Sequence, residues 1–333
     1  MRHTRLLLVL MLLGGLGVGT RLLRAAVAGE GGKSASGKAR VRLVHADDKA
    51  PRFVRAWGEF GEGPGQFVQP WRITIDPQGN IYVLDRSTHR IEKFTREGKF
   101  LTLFGKPGSK PGEFKHPHDL EMDSAGCIWV VDKNNQRIQK FTAEGTFVGK
   151  WGRPGRARGE FEFPMGIAFD REGMIYILDR ENCRVQKFSP QMRFLSEWGR
   201  RGTSPGEFSL PEAIAIDGDD AVYVLDKGNF RVQKFTSRGE FLLRWGRRGK
   251  GAGRFEAPTD LAVGPEGSVY VSDLGHNDVQ RFDGRGRFLA AFGAYGQGPG
   301  EFINPRGIRL DGRGHIFIAD AGNHRIQEWA YIK

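Results

Sequence analysis

Pro164–Phe188 reads PMGIAFDREGMIYILDRENCRVQKF. It holds three short apolar runs, Gly166–Asp170 (GIAFD), Ile175–Asp179 (IYILD) and Arg184–Phe188 (RVQKF), and a fourth, Phe194–Trp198 (FLSEW), follows closely. The runs are rich in Ile, Val, Tyr and Phe, and Arg-Glu-Gly, Arg-Glu-Asn-Cys and Ser-Pro-Gln separate them. Runs of this length and chemistry, punctuated by turn formers, read as strands joined by hairpins. Several are apolar at consecutive positions, so both faces are expected to be covered.

The aspartate closing the second run, Asp179, belongs to a column: Asp85, Asp132, Asp179, Asp226, Asp273 and Asp320, always 47 residues apart. Pro70, Pro117, Pro164, Pro211, Pro258 and Pro305 keep step, as do Phe67, Phe114, Phe161, Phe208, Phe255 and Phe302. An aromatic-glycine pair recurs at Trp57-Gly58, Phe104-Gly105, Trp151-Gly152, Trp198-Gly199, Trp245-Gly246 and Phe292-Gly293. Four strands per repeat of this length are the blades of a propeller. The fold class is therefore all-β: a six-bladed β-propeller of four-stranded antiparallel blades. The last repeat ends after its third strand, and an orphan strand, Arg52–Trp57 (RFVRAW), precedes the first. It is expected to complete the final blade beside Arg325–Tyr331 and so remove the open edge. The propeller spans residues 52–333. The 48 glycines suit an all-β chain full of tight turns. Two cysteines, Cys127 and Cys183, give no disulfide framework and are expected to be free thiols.

Residues 1–28 have the form of an export signal. Arg2 and Arg5 precede an apolar run, Leu6–Val18, of 13 residues, and Ala26-Val27-Ala28 has the small-x-small form of a cleavage site. The expectation is cleavage after Ala28 and a periplasmic or extracellular protein, with an uncleaved membrane anchor as the alternative. Residues 29–51, rich in Gly, Ser, Lys and Ala, read as a flexible spacer. The net charge is +12, falling to +8 without the leader. A surplus of this size favours anionic partners without specifying nucleic acid.

The pattern P-x-G-I-A-x-D-x-x-G-x-I-Y-V-x-D-x-x-N-x-R-[IV]-Q-K-F, best seen at Pro164–Phe188 and Pro305–Gln327, resembles the NHL repeat over about residues 52–331. The resemblance implies a propeller and leaves function open. NHL propellers include RNA- and protein-binding domains, extracellular sensor domains and an amidating lyase.

Arg90, Arg137, Arg184, Arg231 and Arg325 each follow their aspartate by five residues, so each pair is expected to face across a hairpin as an ion pair. The fifth repeat has Asp278 instead, which sets it opposite Asp273. With Asp260 and His276 on the same side, these two aspartates are the candidate cation site, for a divalent metal or a partner's basic group. The residues after the prolines are expected to ring the channel mouth: Trp71-Arg72, His118-Asp119, Met165-Gly166, Glu212-Ala213, Thr259-Asp260 and Arg306-Gly307. The repeats differ most here, so a small ligand would be read here. The lyase of the family places zinc-binding histidines at this kind of position, and His118 matches. Met165, Glu212 and Arg306 do not, which removes a three-histidine zinc site and leaves His118, Asp119 and Glu212 as a mixed metal set.

The loops from strand four to the next strand one carry Arg153, Arg156 and Arg158, then Arg200 and Arg201, then Arg247, Arg248, Lys250 and Arg254. They share a face with the strand two–three loops, which add Arg86, Lys133, Arg180 and Lys227. This basic arc is the expected docking surface for a protein, a peptide or an anionic polymer. It contains no aromatic residue, which with the leader argues against nucleic acid. No serine elbow, P-loop, dinucleotide fingerprint or Cys-x-x-Cys is present. The reading is thus a monomeric, non-catalytic extracytoplasmic binding propeller with no cofactor, a divalent cation being the one considered. The alternative is a metal-assisted lyase or hydrolase at the channel mouth.

Overall fold

A computed structural model describes residues 50–331. The leader and residues 29–49 of the spacer lie outside them. The first blade is formed by Pro70–Ile75, Ile81–Asp85, Arg90–Phe94 and Phe100–Phe104, and the pattern repeats through six four-stranded antiparallel sheets. The sixth holds Pro305–Leu310, His315–Asp320 and Arg325–Ala330, with Arg52–Trp57 as its outer strand. Arg52 pairs with Ala330 and Trp57 with Ile326, so the chain's first strand latches its last blade. The innermost strands of successive blades lie side by side around the ring, that of the sixth against that of the first.

Burial explains the sequence pattern strand by strand. The second strand of each of the first five blades, such as Ile175–Asp179, is buried at every position because a blade covers each face, and in the sixth only His315 at its start is partly exposed. The fourth, such as Phe194–Trp198, alternates because only one face is covered. The six phenylalanines of the column are fully buried. Trp198 lies 6.1 Å from Tyr176 of its own blade and 6.1 Å from Phe235 of the next, so the aromatic-glycine column packs between blades. Room for that indole is made by Gly239 of the next blade, at φ +86°, where a Cβ would come within 2.5 Å of the ring. Cys127 and Cys183 are free thiols.

One register irregularity sets up the site. Pro164 pairs with Asp179 but Gly166 pairs with Leu178, so Met165 is the extra residue of a bulge. The first strand thus begins at Pro164, two residues before the sequence reading places it. The same bulge isolates Trp71, Glu212 and Thr259 in their blades, and in the sixth blade Arg306 and Gly307. A bulge re-aims a side chain at the end of a strand, here toward the channel mouth.

The Asp–Arg column does more than close a hairpin. Arg231 Nε donates to Asp226 at 2.7 Å, while its two terminal nitrogens donate to the carbonyls of Thr203, Ser204 and Glu207 at 2.7–2.9 Å. Arg137, Arg184 and Arg325 do the same in their blades. Each buried charge is paired and saturated, which offsets its desolvation. The first blade departs from the expected pair: Arg90 turns to Glu92, which replaces the glutamine of the other repeats, and Asp85 accepts the N–H groups of Val68 and Gln69.

The fifth blade has lost the brace. Asp278 stands opposite Asp273, and Arg254 replaces the glutamate whose carboxylate, in the fourth blade's Glu207, accepts the N–H of Ser204. Without that acceptor the loop turns through Gly251 at φ +95°. Burial, then the neighbouring Asp273, pushes the Asp278 carboxyl up to about 8.

The latch and the lost brace each have a measurable consequence. Deleting residues 1–57 should lower Tm by roughly 10 °C relative to deleting residues 1–49, and expose a strand edge that associates. Equal melting and elution would contradict the latch. Asp278 binds a proton in the folded state up to about pH 8, but in the unfolded chain only below about pH 4. Stability therefore falls as pH rises through that window, with Asp273 and His276 the groups facing the proton. Asp278→Asn should flatten this fall, melting above the parent at pH 8 and level with it at pH 4. Parallel melting curves across that range would rule the coupling out.

Candidate functional site

The bulged residues and His118, which precedes the first strand of the second blade, meet at the channel mouth. Trp71, His118, Met165, Glu212 and Thr259 are buried there, and Arg306 is half-buried. His118 Nδ1 donates to the Met165 carbonyl at 2.8 Å, and its ring lies edge-on to Trp71 at 5.6 Å. The other ring nitrogen, Nε2, is 3.6 Å from Glu212 Oε1, longer than a hydrogen bond. Burial holds His118 neutral down to about 3, which fits an imidazole whose one proton is on Nδ1. Burial works to raise the Glu212 carboxyl, but the cations Lys227 and Arg180 outweigh it and hold it below the ordinary carboxylate range. Arg180 reaches Glu212 at 3.3 Å and Lys227 at 3.5 Å. Arg86 and Arg306 lie over the Trp71 indole at 4.3 and 4.2 Å. The strand two–three arginines and lysine thus converge on the mouth as well as on the outer face. The sequence signal is their shared position, one residue after the aspartate column.

The partners of these residues point the other way, as period-two alternation demands. Arg72 sits between Asp119 and Asp260, with Nε 3.6 Å from each. Asp119 accepts the N–H groups of Leu120 and Ile167, and Asp260 that of Ile308. Burial pushes Asp119 up to about 8 against the pull of Arg72. Two residues deeper, Arg309 clamps Glu121, to which Thr74 also donates. Below Arg72 the channel widens into a cavity of about 250 Å³. The Arg309–Glu121 pair escapes a sequence reading because 188 positions separate its members, although both fall in one column of the repeat.

The candidate metal ligands do not assemble. Asp119 faces down the channel and leaves His118 and Glu212 without a third donor, next to two cations. Asp273 and Asp278 form a separate cluster with His276, 3.6 and 4.0 Å from its Nδ1, while Asp260 is turned away into the channel. Among the described residues no group of three or more His, Cys, Asp or Glu side chains is arranged to hold a metal ion. A zinc ion of the kind the lyase resemblance implies lacks a ligand set here: His118 presents Nε2 toward Glu212, and among the described residues no third protein donor joins the two. General base chemistry at neutral pH is also poorly served by an imidazole that takes up no second proton above about 3.

The basic arc is uneven. Arg153, Arg156, Arg200 and Arg201 are exposed, yet each lies beside a glutamate: Glu160 at 2.8 Å, Glu162 at 3.4 Å, Glu207 at 2.8 Å and Glu181 at 3.6 Å. Arg158 packs over the Phe194 ring. The sequence reading counts these cations without the glutamates that share their loops. Arg247, Arg248, Lys250 and Arg254 differ, since no described carboxylate pairs with them. Arg248 lies 5.4 Å over the Phe230 ring. Phe230, Arg247, Arg248, Trp245 and Thr203 line a surface cavity of about 390 Å³.

The NHL repeat matches residues 67–94, 114–141, 161–188, 208–235 and 302–329. The in-phase stretch 255–282, with Asp278, is outside those five. The B-box type zinc finger protein ncl-1 of Caenorhabditis elegans is 46% identical over 44 residues, 13% of this chain and 5% of that protein. Protein brain tumor of Drosophila melanogaster is 43% identical over 44 residues, 13% of this chain and 4% of that protein. The chain therefore spans about a twentieth of the length of these relatives. Among solved structures, a streptogramin B lyase superposes with a TM-score of 0.59 at 16% identity, over 84% of this chain and 97% of that one. An auxiliary nutrient binding protein from Bacteroides ovatus gives 0.60 at 14% identity, over 88% and 75%. At these identities the likeness is one of fold. The matched repeats, their common phase and the closed ring of six blades make this chain an NHL-repeat β-propeller.

Proposed function

We propose that this propeller is a non-catalytic binding module, acting outside the cytoplasm as a monomer, that captures an acidic protein or peptide on the face carrying the inter-blade and strand two–three loops. The observation that carries the reading is the loop leading into the fifth blade. Arg247, Arg248, Lys250 and Arg254 stand together with Glu256 as the one acid nearby in sequence, and none of the four has a carboxylate partner among the described residues. Exposed arginines already paired with a glutamate have little left to offer a ligand, which demotes Arg153, Arg156, Arg200 and Arg201 to a supporting role. The adjoining cavity adds an apolar wall, Phe230 and Trp245, beside the cations. Aromatic and arginine side chains around a pocket are the usual composition of a binding hot spot. Every blade has its full four strands, so only the short outer edges of the blades remain unpaired. The metal-assisted lyase or hydrolase gains no support from a likeness of fold alone, because His118 and Glu212 lack a third donor.

Reversing Arg247, Arg248, Lys250 and Arg254 to glutamate should weaken capture of the native partner at least tenfold, about 1.4 kcal/mol. Tm should change little, because Arg247, Arg248 and Lys250 are exposed and none of the four is ion-paired among the described residues. Capture by the parent should fall steeply with added salt. The measurement is a pull-down from an extracytoplasmic fraction, followed by titration of the recovered partner. A partner set that survives the reversal would place the docking surface elsewhere.

A further inference from the structure

We propose that the channel mouth is a binding site for a small oxyanion, the carboxylate or phosphate of a small-molecule ligand, gripped by the guanidinium groups of Arg86 and Arg306. It uses none of the loop residues Arg247–Arg254 and stands apart from the docking surface above.

The case begins with two like charges that share one indole and have no carboxylate of their own. Arg86 and Arg306 come from different blades, yet both lie over the indole of Trp71, at 4.3 and 4.2 Å. The carboxylate whose field both feel is Glu212, and that carboxylate is engaged by Arg180 and Lys227. Burial, then the Arg72 charge, pulls Arg306 down to about 10. Burial also lowers Arg86, Lys133 and Lys227. Half-buried cations gathered against one carboxylate are an unbalanced set.

The second observation concerns hydrogen bonds. Trp71 is 3% exposed and its Nε1–H is buried without an acceptor, as are the indoles of Trp57, Trp198, Trp245 and Trp329 between blades, so the weight falls on the guanidinium donors beside it. The Nε–H groups of Arg86, Arg180 and Arg306 are buried without acceptors too. Buried donors in folded proteins are nearly always paired, so several orphans in one place call for a missing acceptor. The brace arginines show what satisfaction looks like here: Arg231 donates to Asp226 and to three carbonyls. Two guanidinium forks with nothing in their grip match the planar, bidentate geometry of a carboxylate or phosphate. Trp71 and His118 form a buried wall, and Arg72 blocks the channel beneath, so the ligand must be small and enter from the loop face.

The test is isothermal titration of the full chain with inorganic phosphate and with succinate at low ionic strength. One saturable site is expected, with a rise in Tm on anion addition. Arg86→Gln with Arg306→Gln should weaken binding at least tenfold and abolish the Tm rise. Arg306→Lys, which keeps the charge but loses the fork, should retain part of the affinity. Without anion, Arg306→Gln should melt no lower than the parent, because removing one of two repelling charges relieves the site. A purely structural arginine would give the opposite sign. Reversal of Arg247 and Arg248 should leave phosphate binding unchanged, which separates this site from the docking surface. No saturable signal with either anion up to about 10 mM, or undiminished binding in the double variant, would overturn the proposal.

Discussion

A sheet that is apolar on both faces has to be covered twice, and here the only available cover is another copy of the same sheet. Six such blades solve the problem by surrounding an axis, and the solution holds only if the last blade meets the first. Arg52–Trp57 supplies that closure by pairing with Arg325–Ala330. Everything about the site inherits from this constraint. The inner strands must stand side by side around a channel, and their ends must converge at a mouth.

The fixed repeat explains why so much is readable beforehand. Strands such as Ile175–Asp179, Arg184–Phe188 and Phe194–Trp198 coincide with the sequence reading, because six in-phase copies average away the ambiguity of any one. The opposition of Asp273 and Asp278 is equally legible, since a hairpin of constant length fixes register. What escapes is set by departures from ideal pairing. After the site prolines the ladder departs from ideal pairing, by a bulge in five blades and by a strand that starts only at Asp119 in the second, so His118 and Asp119 can be located but not aimed. The pairing of exposed arginines escapes for a simpler reason: Arg153 and Arg200 each meet a glutamate seven residues on, across a loop whose path no strand pattern describes.

Periodicity also divides the polar residues into two kinds. Those that repeat have been matched to partners that repeat with them. Arg137, Arg184, Arg231 and Arg325 each find an aspartate and three carbonyls, and Gln186 or Gln233 bridges loop and strand in the same way. Such groups are spent on the fold. Residues that break the period have no partner waiting in the template. Glu92 acquired one by drawing Arg90 away from Asp85, and Arg309 found Glu121 across the channel.

The remaining aperiodic residues have no such resolution, and they lie on one face. Arg254 and Asp278 invert the signs found in the other blades, leaving a carboxyl without its guanidinium and a loop of cations without carboxylates. Arg306, Trp71 and Glu212 occupy equivalent positions with unrelated chemistry, and around them the Nε–H groups of Arg86, Arg180 and Arg306 are buried without acceptors. A scaffold that pairs its charged groups wherever they repeat advertises its contacts with other molecules where a charged group breaks the period. By that argument both the exposed loop before the fifth blade and the recessed mouth are places where this propeller meets something else. They differ in the size of what each admits: a broad charged surface for a chain, and a narrow, donor-lined funnel for a small anion.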